Sequence, residues 1–454
     1  MSSDLSALHH YEVQGPRYTS YPPAPAFSES YGVREFAHDL EHRDQGRDLS
    51  LYVHQPFCDT LCYFCGCNMK ISNDRAVIAA YLESLETEIR TVRSLLKPPF
   101  KVRQMHWGGG TPTHLKPGEI LHLARTIRGL FDFSPDAECS VEADPRGLGE
   151  DGIAALQEAG FNRISIGLQD FDEKVQKAVN RVHSAEMVGR LVGWVRRHGF
   201  VSLNFDLMYG LPHQNVQTFS RTLDAVLALG PDRLAVFNYA HLPHMIKHQK
   251  LIDETVLPTA AERLDILAMA VDRLERSGYV FIGMDHFARE GDPLLEAQRN
   301  RTLHRNFQGY STHAGLDLIG FGASAISQLK GSYIQNVREP MAYREKVSKG
   351  LATLRGYRLT QDDALRREII FSLMCHFEVD GDLYCHPRGL DFRRDFAQEI
   401  ARLEPFFKDG CVAWEGRRLQ VTPRGRWVIR NIAMCFDAHA PILNHGGQRF
   451  SRTV

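Results

Sequence analysis

The chain has 454 residues, with 54 Lys and Arg against 55 Asp and Glu, so its formal net charge is −1. Its content of 43% hydrophobic and 24% charged residues is ordinary for a globular protein and argues against a disordered, collagenous or coiled-coil chain. The balanced charge argues against a general nucleic-acid binder, and the length suggests roughly two or three domains.

The sequence indicates a cytoplasmic protein without a disulfide framework. No apolar run is long enough to span a bilayer, and MSSDLSALHHYEV lacks a basic region followed by an apolar one. Nine cysteines are present, and an odd number in a reducing compartment argues against a set of disulfides.

The chain opens with an extended arm, which we place at residues 1–45, rich in Tyr, Pro and Ser and without periodicity. LSLYVHQPF then predicts a strand, because β-branched, aromatic and leucine residues run up to a proline. After a cluster of cysteines, RAVIAAYLESLETEIRTVRSLL predicts an amphipathic helix from the helical spacing of its apolar residues.

Five more strand–loop–helix units follow, with strands at KVRQMHWG, ECSVEADP, RISIGLQDF, VSLNFDLMYGLP and RLAVFNYAHL. Six such units predict an α/β fold, a parallel sheet with right-handed crossovers that curves into a partial (β/α)6 barrel. Functional loops of such folds lie at the carboxyl ends of the strands. These ends carry the cysteine cluster, GGGTP, Glu142, Gln169, Asp206 and Ala240.

The remaining chain changes character. The glycine-rich segment from about 278 to 335 has no clear assignment, whereas ALRREIIFSLMCHF predicts a helix and GCVAWEGRRLQV a hairpin turning at Glu415–Arg417. We therefore expect a barrel domain with an extension at 46–345, a small C-terminal α/β cap at 346–440 and a tail at 441–454.

The cysteine cluster reads Cys-x3-Cys-x2-Cys-x-Cys over Cys58, Cys62, Cys65 and Cys67. Thiolates are soft ligands that suit zinc or iron–sulfur clusters. Structural zinc usually takes two separated ligand pairs, and no second pair with that spacing is present. Three cysteines on one short loop can hold three corners of a cubane and leave the fourth iron for a ligand that is not protein. A zinc site remains the alternative.

This spacing after the first strand of a (β/α) series resembles the radical S-adenosylmethionine superfamily. The resemblance implies that Cys58, Cys62 and Cys65 hold a [4Fe–4S] cluster whose fourth iron binds the amino and carboxylate groups of S-adenosylmethionine. The reduced cluster then cleaves the sulfonium to methionine and a 5′-deoxyadenosyl radical, which requires a low reduction potential.

A closer resemblance runs from about Gly15 to Asp437. GPRYTSYPPA, YVHQPFCDTLCYFCGCN, HWGGGTPTHL, VEADPR, NRISIGLQDF, NFDLMYGLP, LHRNFQGYSTH, GFGASAIS and RNIAMCFD together resemble the oxygen-independent coproporphyrinogen III dehydrogenases. That family implies oxidative decarboxylation of two propionates to vinyl groups, which gives protoporphyrinogen IX in haem biosynthesis. It also implies two S-adenosylmethionine molecules per site.

The resemblance assigns residues by motif position. Around the first S-adenosylmethionine it places Tyr52, Glu142 and Ile326. Around the second it places Phe64, Gly109, Gly110, Thr111, Gln169, Arg181, Asp206 and Ala240. Phe307 and Gln308 match residues that the family requires for activity, and Cys67 matches an extra cysteine that is not a ligand. The chain departs from the family pattern at Gln55 and Asp59 and in its longer tail.

Three further residues are substrate candidates from their chemistry. His54 shares a strand face with Tyr52 and could donate to a substrate carboxylate or to a proton acceptor, unless it is a core histidine with partners. The substrate has four carboxylates, so we expect Arg17 and Arg305 to meet them, unless they are ordinary surface arginines.

The implied partners are coproporphyrinogen III and a one-electron donor protein such as a flavodoxin or ferredoxin. We expect a monomer that has no membrane span and binds no nucleic acid. A haem chaperone of the same superfamily and a haem-modifying radical methylase are the alternatives. Cys67 and the GPRYTSYP arm favour the enzyme over the chaperone, whose relatives generally lack both.

Overall fold

The computed structural model of the protein describes residues 6–440 and 450–453, and these divide into two compact units. Unit 1 consists of the described parts of residues 1–26, 260–314 and 359–454, and unit 2 of residues 27–259 and 315–358. Residues 441–449 of the expected tail lie outside the described residues. The domain boundaries expected from the sequence follow the chain order, and they stay a proposal.

The strands and helices of the described residues are numbered in chain order. The strands are β1 Leu49–Gln55, β2 Phe57–Cys58, β3 Lys70–Ile71, β4 Val102–Gly109, β5 Phe133–Ala143, β6 Arg163–Gln169, β7 Ser202–Tyr209, β8 Arg233–Asn238, β9 Tyr279–Gly283, β10 His286–Arg289, β11 His304–Asn306, β12 Gly309–Ser311, β13 Asp317–Phe321, β14 Ile326–Leu329, β15 Ser332–Asn336, β16 Thr353–Arg358, β17 Glu378–Val379, β18 Val412–Glu415 and β19 Arg418–Val421.

The α-helices are α1 Val33–Glu41, α2 Arg75–Leu95, α3 Pro117–Leu130, α4 Glu150–Glu158, α5 Glu173–Ala178, α6 Ala185–Arg197, α7 Val216–Leu229, α8 Ala260–Arg276, α9 Pro293–Arg299, α10 Pro340–Val347, α11 Gln361–His376, α12 Gly381–Cys385, α13 Phe392–Asp395, α14 Ala397–Ala401, α15 Glu404–Lys408 and α16 Ile429–Met434. No helix of the described chain is both long and apolar enough to cross a membrane.

Unit 2 contains the predicted parallel sheet. Its strands lie in the order β16-β15-β14-β13-β1-β4-β5-β6-β7-β8. The six predicted strands, β1 and β4 to β8, pair in parallel with their neighbours, which confirms the α/β fold with a partial barrel. β13 adds a seventh parallel strand beside β1, and β14 to β16 extend the sheet by antiparallel pairing.

The sheet and its helices form as their residue patterns require. All seven residues of β1 are buried, as expected of a strand covered on both faces. The apolar residues of α2 recur at helical spacing, and Ile78, Leu85 and Ile89 are fully buried. Asp74 caps this helix by accepting the N–H of Ala76 at 2.9 Å.

A buried polar network on α2 fixes the segment between β13 and β14. The Glu88 carboxylate accepts the N–H of Gly322 at 2.8 Å, the Tyr343 hydroxyl at 2.7 Å and the Asn336 amide at 2.7 Å. Gly322 has φ +96, a backbone conformation that residues with a Cβ atom rarely adopt. The network holds this turn within unit 2, next to the strand that pairs with β1.

Unit 1 is assembled from segments far apart in the chain. The Arg430 guanidinium donates to the carbonyl oxygens of Gly15, Pro16 and Arg452, the last at 2.6 Å. The predicted hairpin is present as β18 and β19, joined through Gly416. The glycine-rich stretch that lacked an assignment forms two hairpins in this unit, β9–β10 and β11–β12.

We expect Glu88 to make stability depend on pH. Burial raises its pKa from 4.5 to about 7, so the folded protein binds this proton more tightly than the unfolded chain. Below about pH 4.5 Glu88 is protonated in both states, so its ionisation costs the folded state nothing. As the pH rises from there to about 7, the free energy of unfolding falls by at most about 1.4 kcal/mol per pH unit.

Chemical denaturation from pH 4.5 to 8 measures this dependence. E88Q should lose this part of the pH dependence and gain stability relative to the wild type as pH rises. E83Q, at an exposed position of the same helix, should follow the wild type. Equal pH slopes for E88Q and the wild type would contradict the assignment.

Candidate functional site

The cysteine loop follows β1 and is tied to two other segments of unit 2. Gln249 Nε2 donates to the carbonyl oxygens of Phe64 at 3.0 Å and Ala240 at 3.1 Å. On the other side of the loop, Asn180 Nδ2 donates to the carbonyl of Leu61 at 2.8 Å. These bonds hold the loop between the segments after β8 and after α5. Ala240 therefore contributes its backbone to the attachment of this loop.

The loop opens onto a cavity of about 310 Å³ within unit 2. Most of the predicted site residues of this unit line it: Cys58, Cys62, Phe64, Cys65, Cys67, Gly109, Gly110, Thr111, Glu142, Gln169, Arg181 and Asp206. The described lining does not include Tyr52, His54, Ala240 or Ile326. The carboxyl ends of β1, β4, β5, β6 and β7 thus bring together residues that are up to about 150 positions apart in the chain.

The glycines after β4 are required by a close backbone approach. Gly109 has φ +123, and a Cβ at Gly110 would lie 2.6 Å from the carbonyl oxygen of Pro56 and 3.0 Å from Cys58 Sγ. Thr111 follows, and its hydroxyl donates to Cys58 Sγ at 3.2 Å. A side chain at position 110 would therefore displace the first cysteine sulfur of the loop.

Glu142 is held as a carboxylate at the end of β5. Burial by itself would raise its pKa, but hydrogen bonds from His106 at 3.2 Å and from the Gly109 N–H at 3.1 Å lower the pKa below its usual value. His106 is oriented by Ser140, whose hydroxyl lies 2.6 Å from Nδ1. An ionised carboxylate facing the cavity can accept further hydrogen bonds from an ammonium or a hydroxyl group.

Asp206 is the second carboxyl of the cavity and differs from Glu142. Burial, and then the charge of Glu142, raise its pKa to about 6. Ser165 and Asn204 donate to its two oxygens at 3.1 and 2.8 Å. The two carboxyls thus differ in proton affinity because Glu142 accepts hydrogen bonds from His106 and a backbone N–H, whereas Asp206 is exposed to the charge of Glu142.

Gln169 and Arg181 face the same space. Gln169 has φ +70, and its Oε1 is buried without a hydrogen-bond partner among the described residues. Arg181 is 8% exposed and donates to Asp144 and to the carbonyl of Gly167. Its Nη1 also lies 3.7 Å from Cys62 Sγ. The guanidinium is therefore fixed by its own chain beside the cysteine loop.

Tyr52 and His54 lie on one face of β1, next to the cavity rather than in its lining. The Tyr52 hydroxyl lies 3.0 Å from His54 Nδ1, and His54 Nε2 lies 2.9 Å from the carbonyl oxygen of Asn68. The carbonyl requires a proton on Nε2, so Nδ1 accepts from Tyr52. Burial lowers the pKa of His54, which keeps the ring neutral. Both ring nitrogens therefore have partners inside the protein.

Ile326 is the first residue of β14 and lies close to the paired strands β1 and β13. Tyr52 lies opposite Gly320 in β13. A Cβ at Gly320 would lie 2.6 Å from the carbonyl oxygen of Ile326, so the two backbones are in close contact. Tyr52, Gly320 and Ile326 form one local group at the β1 edge of the site.

Arg305 in unit 1 is a buried cation. It is 2% exposed, its guanidinium carbon lies 4.7 Å from the centre of the Tyr310 ring, and its Nη1 has no hydrogen-bond partner in the described chain. Its Nε donates to the carbonyl of Arg17 at 3.4 Å, and Arg17 pairs with Asp285. The two predicted arginines are thus neighbours within one unit.

Phe307 and Gln308 form the turn between β11 and β12. The Gln308 N–H donates to Asn306 Oδ1 at 2.8 Å, which closes the turn. The side-chain Nε2 of Gln308 is buried and lacks a partner among the described residues. The turn therefore presents an amide that is available to a ligand.

The thiols of the loop fit an iron–sulfur cluster. Three sulfurs from one loop are soft ligands that suit such a cluster, and the cavity beside them contains Gln169 Oε1, which has no partner among the described residues. A hydrogen bond with Cys67 lowers the pKa of Cys65 to about 7. Burial raises the pKa of Cys58 to about 12, and coordination to a cation deprotonates such a thiol.

Sequence reasoning missed a pair that touches the loop. Asp144 Oδ2 accepts from Arg146 Nη2 at 2.7 Å, and the same nitrogen lies 3.2 Å from Cys62 Sγ. Both residues stand in VEADPR, one of the motifs that carry the family resemblance. An acid and an arginine directly after a strand end would have been the signal for an ion pair at the site.

Two family descriptions match parts of the chain, and known relatives match nearly all of it. The family description "Radical SAM superfamily" matches residues 52–226, and "HemN C-terminal domain" matches residues 359–428. An oxygen-independent coproporphyrinogen III oxidase of Salmonella typhimurium is 46% identical over 452 residues, covering 99% of this chain and 98% of that protein. Its namesake in Pseudomonas aeruginosa is 43% identical over 455 residues, with the same coverage.

One solved structure is similar over nearly the whole chain. It is a coproporphyrinogen III oxidase from Escherichia coli, described as a radical SAM enzyme. It matches with a TM-score of 0.92 and 46% identity, and covers 96% of this chain and 98% of its own.

Two cysteine variants test the ligand set after anaerobic reconstitution with iron and sulfide. C62A should lose the visible absorbance of the cluster and most bound iron, because it removes one of three thiolate ligands. C67A, the matched control on the same loop, should keep most of both. Equal loss in the two variants, or zinc in place of iron in the purified protein, would contradict the assignment.

Proposed function

This chain belongs to the family of oxygen-independent coproporphyrinogen III oxidases within the radical SAM superfamily, and we propose that it converts coproporphyrinogen III to protoporphyrinogen IX in haem biosynthesis. The observation that carries the proposal is the cavity of about 310 Å³, in which three cysteines of one loop meet the ends of the parallel strands. The similarity over 99% of the chain supports the substrate.

The proposed reaction removes two propionate carboxylates. In each step one hydrogen atom leaves the β-carbon, the carboxylate departs as CO₂, and one electron is released. The side chain –CH₂–CH₂–COO⁻ thereby becomes a vinyl group. The site must generate a strong hydrogen-abstracting agent and keep it away from water and from other groups of the protein.

The proposed cofactors are one [4Fe–4S] cluster on Cys58, Cys62 and Cys65, and two S-adenosylmethionine molecules. When bound, the cluster supplies the low-potential electron that makes S-adenosylmethionine a hydrogen-abstracting agent. Tyr52, Glu142 and Ile326 would surround the first of these molecules. Around the second we place Phe64, Gly109, Gly110, Thr111, Gln169, Arg181, Asp206 and Ala240.

The protein's own groups suit these ligands. Glu142 is ionised at neutral pH and can accept from an ammonium group. Asp206, with a pKa of about 6, and the free Oε1 of Gln169 can accept from ribose hydroxyls. Phe64 and Phe237 line the same cavity and exclude water, which limits side reactions.

We assign the substrate carboxylates to arginines of unit 1. Arg305 has a buried Nη1 without a partner in the described chain, and Arg17 lies beside it. Gln308, with its free amide, and Phe307 adjoin Arg305 on the β11–β12 hairpin. His54 is bonded within the protein at both ring nitrogens, so we assign it to orienting Tyr52 rather than to proton exchange.

The proposal extends to the setting of the enzyme. The electron has to come from a low-potential donor protein such as a flavodoxin or ferredoxin. All nine cysteines are free thiols in the structure, which supports a reducing, cytoplasmic location. We also propose that the protein acts as a monomer, because the residues proposed for the cofactors and the substrate all come from one chain.

Anaerobic turnover tests the function. The reconstituted protein, supplied with reductant, S-adenosylmethionine and coproporphyrinogen III, should release two CO₂ and two 5′-deoxyadenosines per protoporphyrinogen. Products are quantified by chromatography. A well-reduced enzyme that forms no decarboxylated product would overturn the proposal, and S-adenosylhomocysteine as the product would indicate a methylase instead.

Replacement of Arg305 tests the carboxylate site. R305Q should raise the KM for coproporphyrinogen roughly ten- to a hundredfold, because it removes a charged hydrogen-bond donor, while cluster content stays unchanged. R305K should recover part of the loss. The control R299Q alters an arginine of the same unit whose side chain is 60% exposed, and should leave KM unchanged. An unaltered KM in R305Q would refute the assignment.

A further inference from the structure

Arg146 connects the strand end after β5 with the second cysteine of the loop. Its Nη2 lies 3.2 Å from Cys62 Sγ, within hydrogen-bonding range for a sulfur acceptor. The same nitrogen donates to Asp144 Oδ2 at 2.7 Å. One guanidinium nitrogen is thus shared between a carboxylate and the sulfur of a cysteine assigned to the cluster.

The position of this guanidinium is fixed by several bonds. Its Nε lies 3.1 and 3.2 Å from the two oxygens of Asp144, and its Nη1 donates to the carbonyl of Asn180 at 3.2 Å. Burial would lower the pKa of Arg146, but the Asp144 carboxylate outweighs it and holds the pKa above its usual value. The side chain is therefore a permanent, oriented charge beside Cys62.

Asp144 carries two cations rather than one. Arg181 also pairs with it, and Arg181 Nη1 lies 3.7 Å from Cys62 Sγ. Two guanidinium groups therefore contact the Cys62 sulfur and share one carboxylate, so the three side chains carry a net positive charge. Side-chain exposures of 17% for Arg146, 9% for Arg181 and 8% for Asp144 limit screening by water.

This group also separates two cavities of unit 2. Asp144 and Thr111 line both the cysteine cavity and a second one of about 220 Å³, which Arg146 lines as well. The second cavity is bounded by the starts of α3 and α4, including Pro117 and Gly149. Arg146 thus lines the second cavity, whereas Glu142 and Asp206 line the cysteine cavity.

We propose that Arg146, held by Asp144, is a positioning residue that sets the reduction potential of the cluster through its hydrogen bond to Cys62. The inference rests on the proposed function, because it requires Cys62 to ligate the cluster. Reduction adds one negative charge, which spreads onto the thiolate sulfurs. A fixed cation and an N–H donor at one sulfur stabilise the reduced state more than the oxidised state.

The chain offers a matched control for the arginine–sulfur contact. Arg128 Nη2 lies 3.6 Å from Cys139 Sγ, and Arg128 also donates to a backbone carbonyl at 2.9 Å. Cys139 lies in β5, outside the cysteine loop. R128Q therefore removes a contact of the same kind without touching a cluster ligand.

The experiment is a redox titration of the reconstituted full chain without S-adenosylmethionine, followed by electron paramagnetic resonance, with iron content measured in parallel. R146Q should make reduction of the cluster about tenfold less favourable, a fall of 59 mV for a one-electron couple. R146K should recover part of this shift. D144N should shift the potential upward, because the asparagine keeps an oxygen acceptor for Arg146 but leaves both arginine charges less neutralised. R128Q should match the wild type.

The potential is expected to fall in R146Q and to rise in D144N. Loosened packing would shift both potentials in the same direction, so the opposite shifts separate this role from a merely structural one. An unchanged or raised potential in R146Q, or a lowered or unchanged potential in D144N, would overturn the proposal. If R146Q takes up no iron, the sign of the D144N shift decides. A wild-type protein that takes up no iron would overturn the proposed function and this inference with it.

Discussion

The parallel pairing of β1 with β4 and with β13 is the constraint on which the candidate site depends. Its register places Gln55 opposite Gly109, so the Gly110 N–H reaches the Gln55 carbonyl at 2.7 Å and the Thr111 N–H reaches that of Phe57 at 3.0 Å. These bonds bring the turn after β4 onto the cysteine loop. A shift of one residue would reverse the faces of β1 and separate the two loops.

The electrostatics of the cavity follow from which partner each carboxyl has. Glu142 and Asp144 have histidine or arginine partners, and their pKa values are lowered, whereas Asp206 has neutral donors and a raised one. A chain whose net charge is only −1 can therefore hold concentrated charges of both signs in one place. The near-balance of the whole composition conceals strong local fields, because Glu142 and Asp144 are each compensated by specific neighbours.

Much of the fold was predictable because the apolar residues of its strands and helices recur at regular, local spacings. Strand and helix patterns alternate along residues 49–238, and the parallel sheet and its functional edge follow from that alternation. The cysteine spacing and the glycines of GGGTP also pointed to the cavity. In contrast, the contact of Arg146 with Cys62 joins residues 84 positions apart, and no periodic pattern encodes it. The bonds that occupy both nitrogens of His54 likewise depend on Asn68, in a loop without regular structure.

Unit 1 was harder to predict because its parts are distant along the chain. Contacts within it join the arm to residues beyond 430, as in the bond of the Tyr18 hydroxyl to Asp437 at 2.9 Å. The sequence motifs of the arm showed that it resembles a family, but nothing in its composition indicated what it packs against. Interleaved segments of this kind have no signature within a short window.

The attachment of the arm by Arg430 has a consequence for biosynthesis of the chain. The carbonyl oxygens of Gly15 and Pro16 can accept from Arg430 only after about 415 more residues have been made. Thr453, made later still, donates its N–H to the Val13 carbonyl at 2.7 Å. The segments of unit 2 are complete once residue 358 has left the ribosome. On a ribosome that extends the chain from its amino end, the sheet with its cysteine loop can form first, and the segment made earliest is among the last to find its partners.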